Sequence, residues 1–473
     1  MIVRLWKVWV ALVVVLLAGG AFTVWRQNQP GPSVALDPAF TALGHPKRTV
    51  ALKLKAPAGA LASVKAEVVQ GGTARTVLEE DLAAAGAAEA ERPLVLDAPA
   101  LGLKEGPAEL VVFARDGLWR PRPDPGPRLV HRFTVDLTPP TVEVRAATQY
   151  VKHAGAGLVV YRVADAARSG VRVGAAVFPG IGGLAQDPAV HVALYGIPYD
   201  GPPTPPTVVA EDEAGNQRTL AVSVTFLPTR FPKDTIRLSP PFVQRKVLEL
   251  APQTPGNASP TQLLEAFLVV NREGRKAAEA KIREVTRNAS ASKPLWQGVF
   301  RQQANTKVFA NFPEERTYVA DERVVDSQWH LGIDLASNRQ SPVEAANAGR
   351  VVFTGPNGIY GNTVILDHGL GLFSLYGHMS SIGVQVGQAV GRGDSLGRTG
   401  QSGLAGGDHL HFSMMVDGVH VDPVEWWDPK WVADHVTEKL QSFEGPVAKE
   451  AAGTSSASAP AAGPQGGKRP RGF

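Results

Sequence analysis

The sequence predicts a mainly β protein with an N-terminal membrane helix, two β-sandwich-like modules, a helical connector and a β-rich C-terminal domain. Three observations support this prediction. The chain has 473 residues, too many for one compact core, so two to four domains are expected. Its 49 glycines and 38 prolines indicate many turns. Short segments in which apolar and polar residues alternate recur along the chain, as they do in half-buried strands.

The composition narrows the classes of function. Lys and Arg number 48 and Asp and Glu number 44, which gives a net charge of +4. This excess is too small for a nucleic-acid-binding surface, and the sequence has no basic stripe interleaved with aromatic residues. Cysteine is absent, so disulfides, cysteine nucleophiles and thiolate metal sites are excluded. Any bound metal must therefore be held by His, Asp or Glu.

An apolar segment near the N-terminus indicates export. The run at residues 8–25 is at the short end of the lengths that span a bilayer. Arg4 and Lys7 precede it, and basic residues on that side place it in the cytoplasm and the rest of the chain outside. We expect residues 1–28 to be an uncleaved transmembrane anchor. A signal peptide cleaved among the small residues at 18–21 is the alternative.

Two β-rich modules are expected next, at residues 34–136 and 137–227. The phrase DLTPPTVEV at the start of the second module and the tight-turn sequence EDEAGN before its last strand, at 220–226, resemble those of bacterial immunoglobulin-like domains. This resemblance implies an arm that binds the cell wall or a partner, and a spacer between membrane and C-terminal domain is the alternative. In the first module, the alternation of apolar and polar residues predicts strands at 50–55, 64–68 and 109–113. An alanine-rich stretch predicts a short helix at 83–90.

Residues 228–294 are predicted to form a proline-rich linker, up to about residue 258, and then a helical segment. Ser259 takes the N-cap, Pro260 the first helical position and Gln262 the third position after the cap, which is a capping box. Gly274 is a candidate break in the helix. Residues 446–473 are rich in Ala, Gly, Ser and Pro, which predicts a disordered tail. The apolar stripe of the helical segment consists of Leu263, Leu264, Phe267, Val270, Ile282 and Val285.

Six of the eleven histidines lie between residues 330 and 420, in contexts that suggest a metal site. His330 opens the motif HLGID, which ends with Asp334. The segment DHLHFSMMV is interpreted as a strand, and residues two apart in a strand point to the same face, so His409 and His411 are expected to lie together. Gly332 argues against a helix through the first motif, which is interpreted as a loop leading into a short strand.

Zinc that is bound by nitrogen and oxygen ligands and takes part in hydrolysis needs three protein ligands and an open fourth position. The helical H-E-x-x-H motif, which would supply a glutamate base, does not occur in this sequence. The base must then be a nearby histidine, or a carboxylate such as Glu344 or Asp408. Other histidines have no second donor near them in the sequence and are expected at the surface or in packing roles: His45, His131, His153, His191 and His435.

Residues 308–428 resemble the lysostaphin/LytM-type peptidoglycan metalloendopeptidases. The resemblance rests on seven segments that occur in the family's order: HLGIDLA, SPVEAANAGRVVFTG, YGNTVILDHG, LYGHMS, VGQAVGRGDSLGRTGQSG, HLHF and GVHVDP. It implies that residues 295–445 form an antiparallel β-sheet with a groove, and that the metal lies on the floor of this groove. One departure is Pro313, which stands where the family often has glycine and which affects the expected local turn.

The resemblance also implies roles for individual residues. His330, Asp334 and His411 would bind one Zn²⁺ per catalytic domain. His378 and His409 would be the catalytic histidines beside the metal-bound water. One of them would take the proton of the water, and the other would stabilise the oxyanion or protonate the leaving amine. The order of the two roles stays open.

Other polar and aromatic residues of this region are expected to contact the substrate or to have structural roles. Asn362, beside Gly361, and Tyr360 would contact the substrate, with a turn role as the alternative for Asn362. His368 and His420 fall outside the family's five positions and are expected to be structural. Three tryptophans after the last strand are expected in core packing or in a lid rather than in a sugar-binding platform: Trp426, Trp427 and Trp431.

The function implied is a zinc endopeptidase that hydrolyses peptide cross-links of bacterial peptidoglycan in cell-wall remodelling, with its catalytic domain in the periplasm. The expected partners are the peptide stems, the inner membrane through the N-terminal helix, and envelope proteins through the immunoglobulin-like modules; nucleic acid is not expected. A non-catalytic activator or binder of other wall hydrolases is the alternative. Loss of a ligand or a catalytic histidine would indicate it, and all five positions are filled here. The bond that is cut, D-Ala to diaminopimelate or a glycine bridge, stays open.

Overall fold

The computed structural model describes residues 2–122, 126–287 and 290–441. Strands dominate, helices are confined to the N-terminus, the connector and the end of the C-terminal domain, and nearly all strand pairs are antiparallel. The predicted fold class is confirmed. The tail at 446–473, which the sequence predicts to be disordered, lies outside the described residues.

Helix α1, Ile2–Gln27, contains the apolar run. Its part Trp6–Gln27 has a mean hydropathy of 2.3 and is, by length and composition, able to cross a membrane. Large apolar side chains along it are exposed, Leu16 and Leu17 by 67% and 68%. The described part of the chain leaves this surface uncovered, and apolar surface of this size is stable only against lipid or another partner.

The first β module consists of two sheets that pack on one core. Inward-facing Val50, Leu52 and Leu54 alternate with more exposed residues along one strand, as predicted. The predicted helix at 83–90 is limited to one 3₁₀ turn, Ala83–Ala85, because Gly86 adopts a left-handed conformation and ends it. The strands are β1 Ser33–Asp37, β2 Ala42–Leu43, β3 Arg48–Lys55, β4 Leu61–Gln70, β5 Thr73–Asp81, β6 Glu89–Leu96, β7 Gly106–Asp116 and β8 Leu129–Val135. The sheet orders are β1-β3-β6 and β2-β8-β7-β4-β5.

The second module is built from two four-stranded sheets and a short parallel pair. Its strands are β9 Thr141–Ala147, β10 Tyr150–Lys152, β11 Ala156–Ala164, β12 Arg168–Val173, β13 Ala176–Pro179, β14 Ile181–Gly182, β15 Val190–Gly196, β16 Thr207–Glu211, β17 Gln217–Ala221 and β18 Thr225–Leu227. The sheet orders are β14-β15-β11-β9 and β13-β12-β16-β17, and β18 pairs with β10.

Two sequence predictions for this module have different outcomes. The tight turn before β17 is confirmed, because Gly215 has φ +90° and its N–H donates to the carbonyl of Asp212. The single strand predicted at 220–226 is wrong. β17 ends at residue 221, and the chain then leaves that sheet to pair with β10, so one apolar run serves two sheets.

The connector contains more regular structure than the sequence predicts. The prediction of a linker up to residue 258 is wrong, because strand β19, Lys233–Arg237, and helix α2, Pro240–Leu250, lie within it. Prolines are compatible with this helix because they occupy its first turn, where an N–H has no helical partner. Helix α3, Pro260–Val269, continues through a π-helical turn, Val270–Gly274, into α4, Arg275–Arg287.

The capping box at the start of α3 is confirmed. The Ser259 hydroxyl accepts a hydrogen bond from the Gln262 N–H at 3.3 Å, and the Gln262 side chain accepts from the Ser259 N–H at 2.9 Å. Gly274 does not break the helix, which passes it within the π turn. The predicted apolar stripe packs in one core with α2, with Phe267 and Ile282 fully buried.

The C-terminal domain is built around an eight-stranded sheet with order β20-β23-β31-β27-β26-β25-β29, in which β32 pairs with β31. Two three-stranded sheets, β19-β21-β22 and β24-β30-β28, flank it. β19 comes from the connector and pairs in parallel with β21. The strands are β20 Lys307–Ala310, β21 Glu314–Ala320, β22 Arg323–His330, β23 Ile333–Ala336, β24 Pro342–Glu344, β25 Gly349–Pro356, β26 Asn362–Gly369, β27 Leu372–Met379, β28 Ser381–Ile382, β29 Ala389–Val390, β30 Ser395–Arg398, β31 Leu410–Val416 and β32 Val419–Val421. Short helices follow at α5 Pro423–Trp427, α6 Pro429–Val432, a π-helical turn Ala433–Thr437, and α7 Glu438–Gln441.

The central sheet is covered on both faces, as its fully buried strands β27 and β31 require. Phe412 and Met414 pack into a core shared with the second β module. Met415 packs into the core formed with the connector helices. Because residues two apart in a strand share a face, Ser413 and His411 lie on the connector side.

The second β module and the C-terminal domain are joined by a continuous apolar core. The backbone N–H of Ala156 donates to the buried carboxyl group of Glu425 at 2.9 Å across this junction. Trp426 is fully buried against Phe300 and Trp431, so the prediction of core packing is confirmed for Trp426.

Candidate metal centre

Three donor atoms from two sequence motifs meet on the connector side of the central sheet. The Nε2 atom of His330 lies 3.0 Å from Oδ1 of Asp334 and 3.0 Å from Nδ1 of His411. The third separation, between His411 Nδ1 and Asp334 Oδ1, is 3.1 Å. All three residues are buried. This group fits a metal site, and the structure brings the two sequence motifs together there.

The local strand structure explains why these residues converge. His330 is the last residue of β22, and Asp334 lies in β23, directly opposite His411 in the antiparallel β23–β31 pair. The two residues between β22 and β23 form the predicted loop. A Cβ atom on Gly332 would lie 2.4 Å from His411 Nε2, so the glycine of HLGID lets the loop pass against the imidazole.

Hydrogen bonds on the outer side of each imidazole fix which nitrogen faces the centre. His330 Nδ1 lies 3.1 Å from the carbonyl oxygen of Asn311, to which it can donate. The hydroxyl of Ser413 donates to the Leu331 carbonyl at 2.7 Å, so it accepts from His411 Nε2, which is 3.0 Å away. In the neutral rings the inward nitrogens then carry lone pairs. Two lone pairs and a carboxylate oxygen point at one another, an arrangement that a cation stabilises.

The spacing of the donors also fits a tetrahedral cation. Ligands at about 2.05 Å from Zn²⁺ in tetrahedral geometry are roughly 3.3 Å apart, close to the separations of 3.0 to 3.1 Å. In addition, Nε2 of His409 is buried and has no hydrogen-bond partner among the described residues, although it lies 3.4 Å from Asp334 Oδ1.

Arg316, to which sequence reasoning assigned no role, orients the carboxylate. Its Nη2 donates to Asp334 Oδ2 at 3.0 Å, and its Nε donates to Glu314 at 3.0 Å. Burial by itself would raise the pKa of Asp334. When the inward nitrogens carry protons instead of lone pairs, the charge and hydrogen bond of His330, together with the imidazoles of His409 and His411, hold that pKa well below its usual range. Asp334 is therefore a carboxylate, which is the form that binds a cation.

The two further histidines flank this group. The ring centroid of His378 lies 4.8 Å from that of His409 and 5.7 Å from that of His411. His378 Nδ1 lies 2.8 Å from the carbonyl oxygen of Ser402, and His409 Nδ1 lies 2.8 Å from that of Gly407. The structure thus brings together all five residues that the resemblance implies.

His378 reaches the site through an unusual backbone conformation. Its φ is +62°, which is rare for a residue other than glycine. Strict alternation along β27 would direct it to the same side as Tyr376, away from the connector. The left-handed conformation ends the alternation, and such conformations concentrate at functional sites.

The pKa values of the flanking histidines shift in opposite directions. Burial lowers the pKa of His378, and the neighbouring imidazoles His409 and His411 lower it further. Burial alone would lower the pKa of His409 as well, but the interaction with the Asp334 carboxylate, 3.4 Å away, outweighs burial and raises the pKa.

The two predicted substrate contacts differ in position. Tyr360 lines the cavity with its ring, which lies 5.1 Å from that of His411, and its hydroxyl donates to Glu279 of α4 at 2.5 Å. Asn362 donates its side-chain amide to the Met379 carbonyl at 3.1 Å, which supports the alternative role in the turn.

The other candidates have separate partners. Glu344 lies 3.6 Å from Arg301, and Asp408, at the edge of the cavity, accepts from Thr399 at 2.6 Å. His368 lies between the Ala348 carbonyl and the Ser374 hydroxyl, at 2.7 Å from each, which fits the structural role expected for it. His420 is bound to Glu279 at 3.0 Å.

A cavity of about 780 Å³ opens above the group formed by His330, Asp334 and His411, and the connector forms one wall of this cavity. Sequence reasoning did not foresee this wall, because the residues that form it lie outside the motifs. The connector contributes Asp234, Ile236, Arg237, Ser239, Pro241, Phe242, Arg245 and Arg275.

A buried group of two histidines and an aspartate in a β-sheet groove could hold a metal ion, and the two flanking histidines could act beside it as acid–base groups. Residues 328–423 match the model of Peptidase family M23. The chain therefore contains a Peptidase family M23 domain at residues 328–423, and the resemblance described from the sequence is confirmed.

Several characterised proteins resemble this part of the chain. The DD-carboxypeptidase/endopeptidase Mpg of Neisseria meningitidis serogroup B is 38% identical over 95 residues, which are 20% of this chain and 22% of that protein. The peptidoglycan DD-endopeptidase ShyA of Vibrio cholerae is 34% identical over 119 residues, 25% of this chain and 27% of that protein. The similarity therefore spans about a quarter of the length of these relatives.

Among solved structures, the catalytic domain of lysostaphin from Staphylococcus simulans matches with 28% identity and a TM-score of 0.23. This match covers 26% of the present chain and 92% of that one.

Proposed function

We propose that the C-terminal domain is a zinc-dependent endopeptidase that hydrolyses peptide cross-links of bacterial peptidoglycan. The convergence of His330, Asp334 and His411, with His378 and His409 beside them, is the observation that carries this proposal. The family match and the similarity to ShyA, a peptidoglycan DD-endopeptidase, support the substrate class.

The site residues have distinct parts in the reaction. His330, Asp334 and His411 would hold a zinc ion, which would supply polarisation of the scissile carbonyl and a more acidic water molecule. His378 and His409 each direct Nδ1 to a backbone carbonyl, so that Nε2 of the neutral ring carries the lone pair. Each can accept a proton from the attacking water or return one to the leaving amine. Arg316 holds the Asp334 carboxylate in place.

A non-catalytic activator or binder of other wall hydrolases is the competing function. Such a protein would not require His378 and His409, the two histidines beside the proposed ligand group of His330, Asp334 and His411. In this chain both are present, and their hydrogen bonds fix their orientation toward the cavity. This arrangement favours the enzyme.

We also propose that α1 is an uncleaved anchor in the inner membrane and that the remaining chain is periplasmic. The basic residues Arg4 and Lys7 before the apolar run support this orientation. The core that the second β module shares with the C-terminal domain supports a role in holding that domain, rather than a freely moving arm. The first module would then be the part that contacts envelope partners or acts as the spacer.

The test uses the full-length protein purified in detergent, because β19 and α2 belong to the site and a fragment starting at residue 295 would lack them. Cross-linked muropeptides with D-Ala–diaminopimelate bonds and with glycine bridges are digested, and the products are identified by mass. Cleavage of a cross-link by the zinc-loaded protein is expected, and the product masses identify the bond. Intact muropeptides of both types would contradict the proposal.

Variants separate ligands from catalytic groups. His411→Ala should lose both zinc and turnover. His409→Ala should keep its zinc, measured by elemental analysis, while turnover falls by about 10² to 10⁴ through loss of acid–base catalysis. His153→Ala, outside the cavity, is the control and should retain both. If His409→Ala loses zinc and His411→Ala keeps it, the ligand assignment within this pair is reversed.

A further inference from the structure

The connector helix α2 contacts the loop that orients His378. This loop, residues 401–403, lies between β30 and β31. Its Ser402 carbonyl is the acceptor for Nδ1 of His378, at 2.8 Å. The position of this one carbonyl therefore decides which nitrogen of the His378 ring keeps its lone pair for the reaction.

Glu249 binds the same peptide group from its other side. The peptide unit that contains the Ser402 carbonyl also contains the N–H of Gly403, and this N–H donates to Glu249 Oε1 at 2.6 Å. A negative charge on the N–H side of a peptide polarises it and makes its carbonyl a stronger acceptor. Carboxylate, peptide and imidazole thus form one continuous chain of hydrogen bonds from α2 to His378.

Lys246 binds the preceding peptide group of the same loop. Its side chain is only 2% exposed, and its Nζ donates to the Gln401 carbonyl at 2.7 Å and to Glu249 Oε2 at 2.8 Å. Lys246 and Glu249 are three residues apart on α2 and so share one face. Together they hold two successive peptide groups of the loop, those that precede and follow Ser402.

The helix is itself fixed on the domain. Val243 and Val247 of α2 are buried in the core that also contains Phe373 and Met415 of the central sheet. The Ser402 hydroxyl donates to the Met379 carbonyl at 2.9 Å, which ties the loop to the residue after His378. The loop is thus held between sheet and helix, with little freedom for its peptide groups to rotate.

We propose that Glu249, supported by Lys246, is a positioning residue for catalysis that acts on His378 through the Ser402–Gly403 peptide. Glu249 does not line the cavity that contains His330, Asp334 and His411. It stabilises the His378 tautomer with the proton on Nδ1 and the lone pair on Nε2, and the peptide carries this effect over to the ring. The inference rests on the proposed function, and it places a determinant of activity about 80 residues before the family match begins at residue 328.

The test compares Glu249→Ala and Glu249→Gln with Glu273→Ala in the full-length protein. Glu273 is the matched control, because it pairs with Lys276 at the same spacing but is 65% exposed. In Glu249→Ala, kcat on cross-linked muropeptides should fall about 10- to 100-fold, with KM and zinc content unchanged. Glu249→Gln keeps one acceptor oxygen for two donors and should lie between this variant and wild type. Glu273→Ala should match wild type.

Two further measurements show whether the effect passes through His378. In a His378→Ala background, Glu249→Ala should cause no additional loss, since the group it positions is gone. In ¹⁵N NMR of histidine-labelled protein without metal, the His378 signal, assigned from His378→Ala, should shift from the Nδ1–H tautomer toward a mixture in Glu249→Ala.

The outcomes separate this inference from the proposed function. Wild-type kcat in Glu249→Ala, equal losses with and without His378, or a fall in zinc content would each overturn the positioning role. If the wild-type protein cuts no cross-link, the proposed function fails, and the NMR comparison alone still decides whether Glu249 sets the tautomer.

Discussion

Ser413 offers the most direct test of how the imidazole of His411 is oriented in the proposed metal site. Its hydroxyl accepts from His411 Nε2 at 3.0 Å and donates to the Leu331 carbonyl at 2.7 Å. It is fully buried. In Ser413→Ala, the His411 ring loses the partner that keeps its proton on the outer nitrogen, so the lone pair on Nδ1 is no longer assured.

The magnitude follows from these two bonds. Loss of a hydrogen-bond partner behind a metal-binding histidine typically weakens metal binding about 10- to 100-fold, which corresponds to about 1.4 to 2.7 kcal/mol. The Leu331 carbonyl and the His411 N–H are also left without a partner in a buried site, which lowers the free energy of unfolding by about 1 to 3 kcal/mol for each group. Ser413→Ala should therefore be impaired both in zinc affinity and in stability.

The chain contains a matched control on the neighbouring strand. Ser374 of β27 is also fully buried, and its hydroxyl lies 2.7 Å from Nε2 of His368 and 3.0 Å from the Tyr376 hydroxyl. His368 is not in the ligand group, so Ser374→Ala should lose comparable stability while keeping its zinc affinity.

Zinc affinity is measured by competition with a chromophoric chelator, and stability by denaturant unfolding of the zinc-free proteins. A wild-type zinc affinity in Ser413→Ala, or an equal loss in both serine variants, would refute the tautomer argument. The first result would mean that the His411 ring is oriented without the serine. The second would mean that the weaker binding reflects general destabilisation of the sheet.

Three further predictions concern other parts of the molecule. Burial raises the pKa of Glu425 to about 8, so the folded protein keeps a proton that the unfolded chain, with a carboxyl pKa of about 4.3, has released. The contribution of protonated Glu425 to the free energy of unfolding is fully present below the pKa of the unfolded chain, and it is lost as the pH rises toward 8. Glu425→Gln should therefore equal wild type in thermal unfolding at pH 4 and exceed it at pH 8.5, and an equal difference at both values would contradict the assignment. Gly332→Ala would place a Cβ 2.4 Å from His411 Nε2 and should lose zinc, whereas Gly256→Ala, with no atom near its Cβ, should not. If α1 is an anchor, the protein should remain with membranes after a high-salt wash, and a soluble protein starting near residue 20 would establish the cleaved form instead.

Local sequence rules were sufficient for the parts of this protein that depend on neighbouring residues. The placement of His409 and His411 on one face follows from the two-residue period of a strand, and it does not depend on what packs above them. The capping box at Ser259 and the tight turn at Gly215 follow in the same way from short-range hydrogen bonds and backbone freedom. Local rules thus grouped His409 with His411, whereas the prediction that His330, Asp334 and His411 bind the metal came from the family resemblance of the HLGID and HLHF motifs.

The tertiary structure decided those features in which distant segments meet. His378 faces the site only because its φ is +62°, against the alternation of its own strand. Arg316 of β21 reaches Asp334 of β23 from a different sheet. Glu249 reaches a peptide 154 positions away because α2 packs on the sheet face that carries His411. No pattern in the connector sequence indicates these contacts, since they depend on which face of the sheet the helix covers. The sequence by itself indicated the HLGID and HLHF motifs and the shared face of His409 and His411, because these features depend on neighbouring residues. The convergence of His330 and Asp334 with His411, 81 and 77 positions away, and the groups that orient these side chains depend on packing between segments far apart in the chain.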